Sequence, residues 1–282
     1  MMKFFFKYFF NISPLCVAVQ SQNQDVVDVL LKKLGNSIEY FYFQRNNGLK
    51  DIDIPSFITK INDFAFYSCT SLTEITIPSS VTYIGRYSFA GCCSLTKISI
   101  PPSVTEIGKN IFAKCTKLRE ITIPSSVTKI PISAFESCSS LKKIEIPSSV
   151  TEIGDYAFCL CSKLNKILIP SSVTEIGDYA FCLCSLLDDI KIPYSVTKIN
   201  NYVFRGCSKL NKILIPSSVT EIGKYAFHNC ICIDEISIPS SVTKIGDFSF
   251  CGCSNLEKIS IPSSITDIEN ICLKDGVQII RI

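Results

Sequence analysis

Histidine is almost missing from this chain of 282 residues: His228 stands alone. A single imidazole leaves no His-based zinc motif, and His228 has no acid or nucleophile at a recognisable spacing. It is expected to be an ordinary exposed side chain. A glycine-rich phosphate loop and a nucleophile elbow are absent as well, so the sequence argues against an enzyme and calls for no cofactor. No uncharged apolar run approaches the ~20 residues of a membrane-spanning helix. Charge of one sign is also scarce. The chain carries 28 Lys and Arg against 25 Asp and Glu, a net of +3. That is too little to argue for general nucleic-acid binding.

What the chain does have is a period. Ten prolines lie 23 residues apart without a slip, at Pro55, Pro78, Pro101, Pro124, Pro147, Pro170, Pro193, Pro216, Pro239 and Pro262. A fixed period in this range marks a solenoid whose repeats pack only on their neighbours. Counted from proline as position 0, Val stands at 3, Thr at 4, Ile at 6, Gly at 7, Phe at 11, Cys at 14, Leu at 17, and Ile at 20 and 22. Pro147, Val150, Thr151, Ile153, Gly154, Phe158, Cys161, Leu164, Ile167 and Ile169 make one clean copy. No insertion separates the copies, so the coils should share one length and shape.

Leu-x-x-Ile-x-Ile alternates with period two, as a half-buried strand does, and proline ends it for want of an N–H. Stacking should set these strands in parallel, roughly 4.8 Å apart. Val-Thr-x-Ile predicts a second short extended segment. Gly at position 7, replaced by Asn62 and Asn200, predicts a turn with unusual dihedrals. Asp155 to Cys161 reads as one short helical turn pointing Ala157, Phe158 and Cys161 inward. The pattern reaches back to Ile38, Phe43, Asn46, Leu49, Ile52 and Ile54. It runs on through Ile265 and Ile268, with Glu269 in place of Gly and Leu273 in place of Phe. The apolar ending Gly276 to Ile282 is a poor cap and could support self-association through that edge.

The run Leu-x-x-Ile-x-Ile-Pro-x-Ser-Val-Thr-x-Ile-Gly-x-x-Ala-Phe-x-x-Cys resembles the BspA-like leucine-rich repeat, over about residues 36–282. The resemblance implies a mostly β, α/β-type repeat solenoid: a right-handed, curved superhelix with a parallel sheet on its concave face. It also implies protein binding, often as a cell-surface antigen or adhesin.

Residues 1–35 break the period. Ser13-Pro14-Leu15-Cys16-Val17-Ala18-Val19 and the helically spaced Val26, Val27, Leu30 and Leu31 resemble one ankyrin repeat. One copy cannot form an array, so residues 1–35 are read as a helical hairpin capping the solenoid of residues 36–282. A secretory signal is the competing reading, with Met1-Met2-Lys3 as basic region and Phe4 to Val19 as apolar core. Lys7, Asn11 and Pro14 interrupt that core, and no small-x-small cleavage site follows. The compartment stays open: surface or secreted by resemblance, cytoplasmic by the missing signal. An intracellular protein-interaction scaffold is the alternative function.

Sixteen cysteines would suggest disulfides, but nine fall on position 14 and are expected as a column of small buried thiols. Their stacked Cβ vectors run parallel, which disfavours bridging. Four Cys-x-Cys pairs occur, at Cys159/Cys161, Cys182/Cys184, Cys230/Cys232 and Cys251/Cys253. One member of each belongs to the buried column, so each pair should face two ways, and metal binding is not expected.

Variation concentrates on the strands. Position 19 runs Glu74, Lys97, Glu120, Lys143, Lys166, Asp189, Lys212, Glu235, Lys258. Position 21 includes Glu145, Leu168, Lys191 and Leu214. Both columns should face solvent. One expectation is a self-neutralising ladder of lateral charge pairs. The other is a recognition strip for an acidic or mixed protein ligand. Arg119, Lys142, Lys143 and Lys166 form its basic part, Leu168 and Leu214 its apolar contacts, and Asp189, Lys191 and Lys212 its continuation. Position 9 carries Tyr156, Tyr179, Tyr202 and Tyr225, expected as rings stacked between coils. An adhesive tyrosine ridge is the alternative.

Overall fold

The computed structural model describes residues 43–282, together with Asp25, Val26, Val29, Lys32, Lys33, Ser37 and Ile38. The Ser13-to-Val19 segment of the expected hairpin, and the Phe4-to-Val19 core of the alternative signal, lie outside the described residues. Asp25, Val26, Val29, Lys32 and Lys33 have helical backbone.

Because every coil has the same apolar positions, equivalent residues stack, and the molecule is a mostly β parallel solenoid. Three-residue strands from Lys97–Ser99 to Lys212–Leu214 form a six-stranded parallel sheet. Glu235–Ser237, Lys258–Ile261 and Gln278–Arg281 form a second sheet of the same kind. The Val-Thr-x-Ile segments supply two-residue strands such as Glu152–Ile153 and Glu175–Ile176, paired in parallel at an offset of one period. Ser37–Ile38 pairs with Lys60–Ile61 in the same way, so the period reaches back to residue 37. Proline carbonyls close the corners: the Val81 and Val150 N–H groups donate to Pro78 O and Pro147 O at 3.0 Å.

One continuous core runs from Phe43 to Ile271. Its spine is the Phe column, whose rings are fully buried and stacked 5.0–5.9 Å apart from Phe43 to Phe250. Beside it runs the cysteine column. Each thiol donates to the Phe carbonyl of the preceding coil, as Cys161 Sγ does to Phe135 O at 3.1 Å and Cys184 Sγ to Phe158 O at 3.2 Å. A buried carbonyl with a lone pair to spare favours a small donor there, which an alanine or valine would not supply. Burial pushes these thiols up, Cys253 to about 12. Every cysteine among the described residues is a free thiol.

Three local expectations are corrected. The Asp155-to-Cys161 stretch is not a helical turn. It is a run of tight turns in which alternate N–H groups bond within the coil and across to the next: Cys159 N to Tyr156 O at 3.0 Å, Phe158 N to Ala180 O at 2.8 Å. The geometry needs left-handed backbone at positions 9 and 13, as at Tyr156 (φ 56°) and Leu160 (φ 62°). Gly at position 7 is not there for its dihedrals, since its φ is ordinary. It is there because the coils nearly touch: a Cβ on Gly108 would lie 2.2 Å from Arg86 N and 2.5 Å from Gly85 C. At the last coil, Leu273 does not complete the Phe column. Gln278 pairs with Lys258, an offset of 20 residues rather than 23, so that coil is shorter. Ile271, at the end of the 3-10 turn Glu269–Ile271, is the buried residue instead, and Leu273 is half-buried.

The glycine contact gives a direct test. Gly108→Ala should cost about 1–3 kcal/mol, because backbone atoms on both sides must part. A melting temperature within a degree of the parent would show that the coils have room there.

Candidate functional site

The six-stranded sheet presents alternate residues outward because its strands run exposed–buried–exposed, with Ile167 and Ile190 inward and Lys166, Leu168, Asp189 and Lys191 outward. Register puts Lys143 beside Lys166, Lys166 beside Asp189, and Asp189 beside Lys212. Leu168 lies beside Glu145, and Leu214 beside Lys191. Two-thirds of each leucine is exposed, 66% for Leu168 and 65% for Leu214. Arg119 and Lys142 are exposed at the entry to their strands.

Lateral neutralisation is realised at one end only. Lys258 Nζ sits 2.7 Å from Glu235 Oε1. Among the described residues, Lys143, Lys166 and Lys212 make no ion pair within 4 Å. Ion pairing belongs more to the short-strand face, where Glu221 meets Lys198 at 3.2 Å and Lys244 at 3.0 Å. Hydrogen bonding to Lys244, then Lys198, holds the Glu221 carboxyl below its usual range. The centre of the sheet is left with two adjacent cations, a destabilising placement that folding alone does not require. With Leu168 protruding from the Lys166 strand and Leu214 two strands further along, the face can offer charge and apolar area to an acidic or mixed surface.

The tyrosines stack, as expected of position 9. Tyr156 and Tyr179 lie 4.5 Å apart, Tyr179 and Tyr202 4.3 Å, Tyr202 and Tyr225 4.8 Å, all within 8° of parallel. Burial raises the Tyr179 hydroxyl to about 12, with Tyr202 adding to the effect. The rings sit on left-handed backbone, a cost of about 1–2 kcal/mol per residue that ring stacking helps offset.

Two side-chain expectations fail. His228 is half-buried beside Tyr225, at 5.5 Å between ring centroids, and not freely exposed. Burial and then the Arg205 charge lower its pKa. Nor do the Cys-x-Cys pairs all face two ways. Cys159 and Cys182 are covered, at 6% and 2% exposure, as Cys161 and Cys184 are. Cys232 and Cys251 are half-buried. Among the described residues, no cluster of three or more His, Cys, Asp or Glu side chains could hold a metal ion.

The serine ladder escaped the sequence reading. Ser149 Oγ donates to Val127 O at 2.7 Å and Ser172 Oγ to Val150 O at 2.6 Å, with equivalents in other coils. The Ser column is visible in the sequence, but its partner is 22 residues away and needs the stacking to be known.

Comparison with known proteins gives the same architecture. The family model described as "BspA type Leucine rich repeat region" matches residues 36–165 and 151–280. A leucine-rich cell surface protein from Faecalibacterium prausnitzii is 32% identical, the match covering 83% of this chain and 79% of that one, with a TM-score of 0.51. The pneumococcal vaccine antigen PcpA is 21% identical over 88% of this chain and 74% of that one, with a TM-score of 0.57. No curated protein matches the sequence.

Proposed function

The chain belongs to the BspA-type leucine-rich-repeat family, and from that membership we propose that it is a non-enzymatic protein-binding solenoid of the surface-antigen or adhesin kind. The observation that carries the reading is the adjacent Lys143 and Lys166, neither in an ion pair among the described residues, on one face with the exposed Leu168 and, two strands on, Leu214. The strip continues from Arg119 and Lys142 to Asp189, Lys191 and Lys212, and its chemistry suits an acidic or mixed protein surface. The F. prausnitzii relative is described as a cell surface protein, which supports the location. No helix among the described residues is long and apolar enough to cross a membrane.

An intracellular interaction scaffold is the second reading, favoured by the free thiols, which a reducing compartment preserves. N-terminal sequencing of the mature protein with a free-thiol count separates the two. In either reading, residues 1–35 are kept as an ankyrin-like cap on the strength of the sequence resemblance alone, since most of them lie outside the described residues. The exposed Ile279 on the strand Gln278–Arg281, and Ile282 just after it, support self-association through that strand.

The strip is tested with immobilised acidic peptides. Lys143→Glu together with Lys166→Glu should weaken capture by about tenfold or more, since each 1.4 kcal/mol lost is a factor of ten. Leu168→Ala with Leu214→Ala should weaken it further, with melting unchanged. Undiminished capture by the charge-reversed protein would remove the strip from the account.

A further inference from the structure

Three apolar departures from the repeat gather around one strand. Position 1 is serine in every coil except at Pro102 and Tyr194. Position 21, from Thr76 to Ser260, runs through Thr, Ser, Glu and Lys except at Leu168 and Leu214. Tyr194 is 65% exposed, and with Leu168 and Leu214 it is one of the three most exposed large apolar side chains among the described residues. All three surround the strand Asp189–Lys191. Leu168 ends the strand before it, Leu214 ends the strand after it, and Tyr194 lies in the turn three residues beyond Lys191.

The fold does not require these residues, since serine and threonine hold the same positions in coils of equal length and register. An exposed leucine forgoes the burial that would stabilise it. Apolar side chains grouped on a surface are a sign of a contact site, and tyrosine is enriched at the centre of such sites. The polar groups here are also unspent. Lys191 is the outward residue of the strand between the two leucine strands, and Lys166, Asp189 and Lys212 form the row two residues before them. Among the described residues, none of these four charges makes an ion pair within 4 Å.

The spacing selects the secondary structure of what binds. Leu168, Lys191 and Leu214 succeed one another at strand steps of ~4.8 Å, roughly 9.6 Å from first to last. An α-helix lying across the strands brings residues i, i+3 or i+4, and i+7 to one face, at rises of about 4.5–6 Å and 10.5 Å. An extended strand turns a residue to the same face every ~6.7 Å. Polyproline does so every ~9.3 Å, with nothing halfway. Only the helix meets all three side chains.

We propose that this face holds an amphipathic helix of a partner protein, with apolar residues i and i+7 on Leu168 and Leu214, Asp or Glu at i+3 or i+4 on Lys191, and Tyr194 along its flank. The proposal rests on the protein-binding reading above and narrows it. Recognition of this kind reads anchors at helical spacing. A neighbouring stripe of acid, base and acid on the helix complements Lys166, Asp189 and Lys212 in turn.

The experiment uses the folded full chain and two alanine-based peptides of about 20 residues, long enough to hold a helix in water. The matched peptide carries Leu, Glu and Leu at i, i+4 and i+7. The mismatched one has the same composition with those residues at i, i+2 and i+5, which scatters them around the helix. Circular dichroism checks that both are helical, and fluorescence anisotropy reads binding. The parent should bind the matched peptide about tenfold or more tightly than the mismatched one. Tyr194→Ser, and Leu168→Thr with Leu214→Thr, give these positions the residues of other coils, and each should weaken binding about tenfold with melting unchanged. Lys191→Glu should lose the matched peptide and bind its counterpart with Lys at i+4. No binding of the matched peptide, equal binding of both peptides, or undiminished binding by Tyr194→Ser would overturn the proposal. So would a parent dimer that dissociates in Tyr194→Ser, because a second copy then occupies the face. If the leucine variant melts early, the charge exchange at Lys191 decides. The wider strip is judged apart: equal binding of the two helical peptides, with capture of acidic peptides still lost in Lys143→Glu with Lys166→Glu, rejects the helix and keeps the strip.

Discussion

Removal of residues 147–169, one whole period, should leave a shorter chain that still melts cooperatively, whereas removal of residues 147–157 should not. The reason is that each coil is recognised only by the coils beside it. Excising a full period lets Pro170 follow Ile146, and every column closes up. Phe181 stacks on Phe135 where Phe158 did, and Cys184 Sγ reaches Phe135 O as Cys161 does now. Gly177 comes to rest against the Pro131–Ile132 backbone, the role Gly154 has at present. On the sheet, Lys143 meets Asp189 instead of Lys166, so a like-charge neighbour becomes an opposite one. The partial deletion instead brings Phe158 to the proline position and Cys161 to the Val position. The Phe stack is then broken for a full coil, and the Cys161 thiol loses its carbonyl. Circular dichroism, thermal melting and limited proteolysis of the two deletions make the comparison. Equal stability of both would refute the stacking account of the fold.

The second large effect is expected at one ring. Phe158 is fully buried and stacked at 5.4 Å on both Phe135 and Phe181. Phe158→Ala should cost about 3–5 kcal/mol, the usual toll of an emptied aromatic site. Because the ring belongs to two inter-coil contacts, the cavity weakens both at once. That is a large part of the ~5–15 kcal/mol that holds a domain folded. Leu168→Ala, ten residues away in sequence, should change stability by less than about 0.5 kcal/mol, since the leucine is two-thirds exposed and surface changes are small. Denaturant titration of both variants measures the contrast. A cost below about 1 kcal/mol at Phe158 would mean that the coils are held by their backbone ladders and not by this column.

The columns were legible in the sequence because burial repeats with the coil. Any residue pointing inward must do so ten times over, and Phe, Leu, Ile and Cys mark those places without structural knowledge. The left-handed tyrosines were not legible. Tyrosine ordinarily avoids φ near 56°, but the coil imposes left-handed backbone at this position on Asn110 and Ser133 as well, so the turn sets the conformation and the stacked rings only help offset its cost. Gly108 gave the right residue and the wrong reason, since a glycine kept for close approach and one kept for its dihedrals look alike in sequence. The shortened last coil was hidden because its register is set by pairing between Gln278–Arg281 and Lys258–Ile261, not by local pattern. On the strip, the charges could be read directly, but not which lysine finds an acid: Lys258 does and Lys166 does not. Cys159 and Cys182 were misjudged because neighbouring Cys-x-Cys members were expected to alternate, while the tight turns bury both.

The thiol column also equips the protein with its own reporter of breathing. Each of its nine sulfurs is hydrogen-bonded to a carbonyl one coil away. An alkylating reagent can therefore reach a given sulfur only when that junction parts. Labelling rates measured site by site, from Cys69 to Cys253, would give the opening free energy of each junction in turn. A profile of this kind usually requires hydrogen exchange. Here, mixing with iodoacetamide would record where the rod frays first and how far the fraying travels inward.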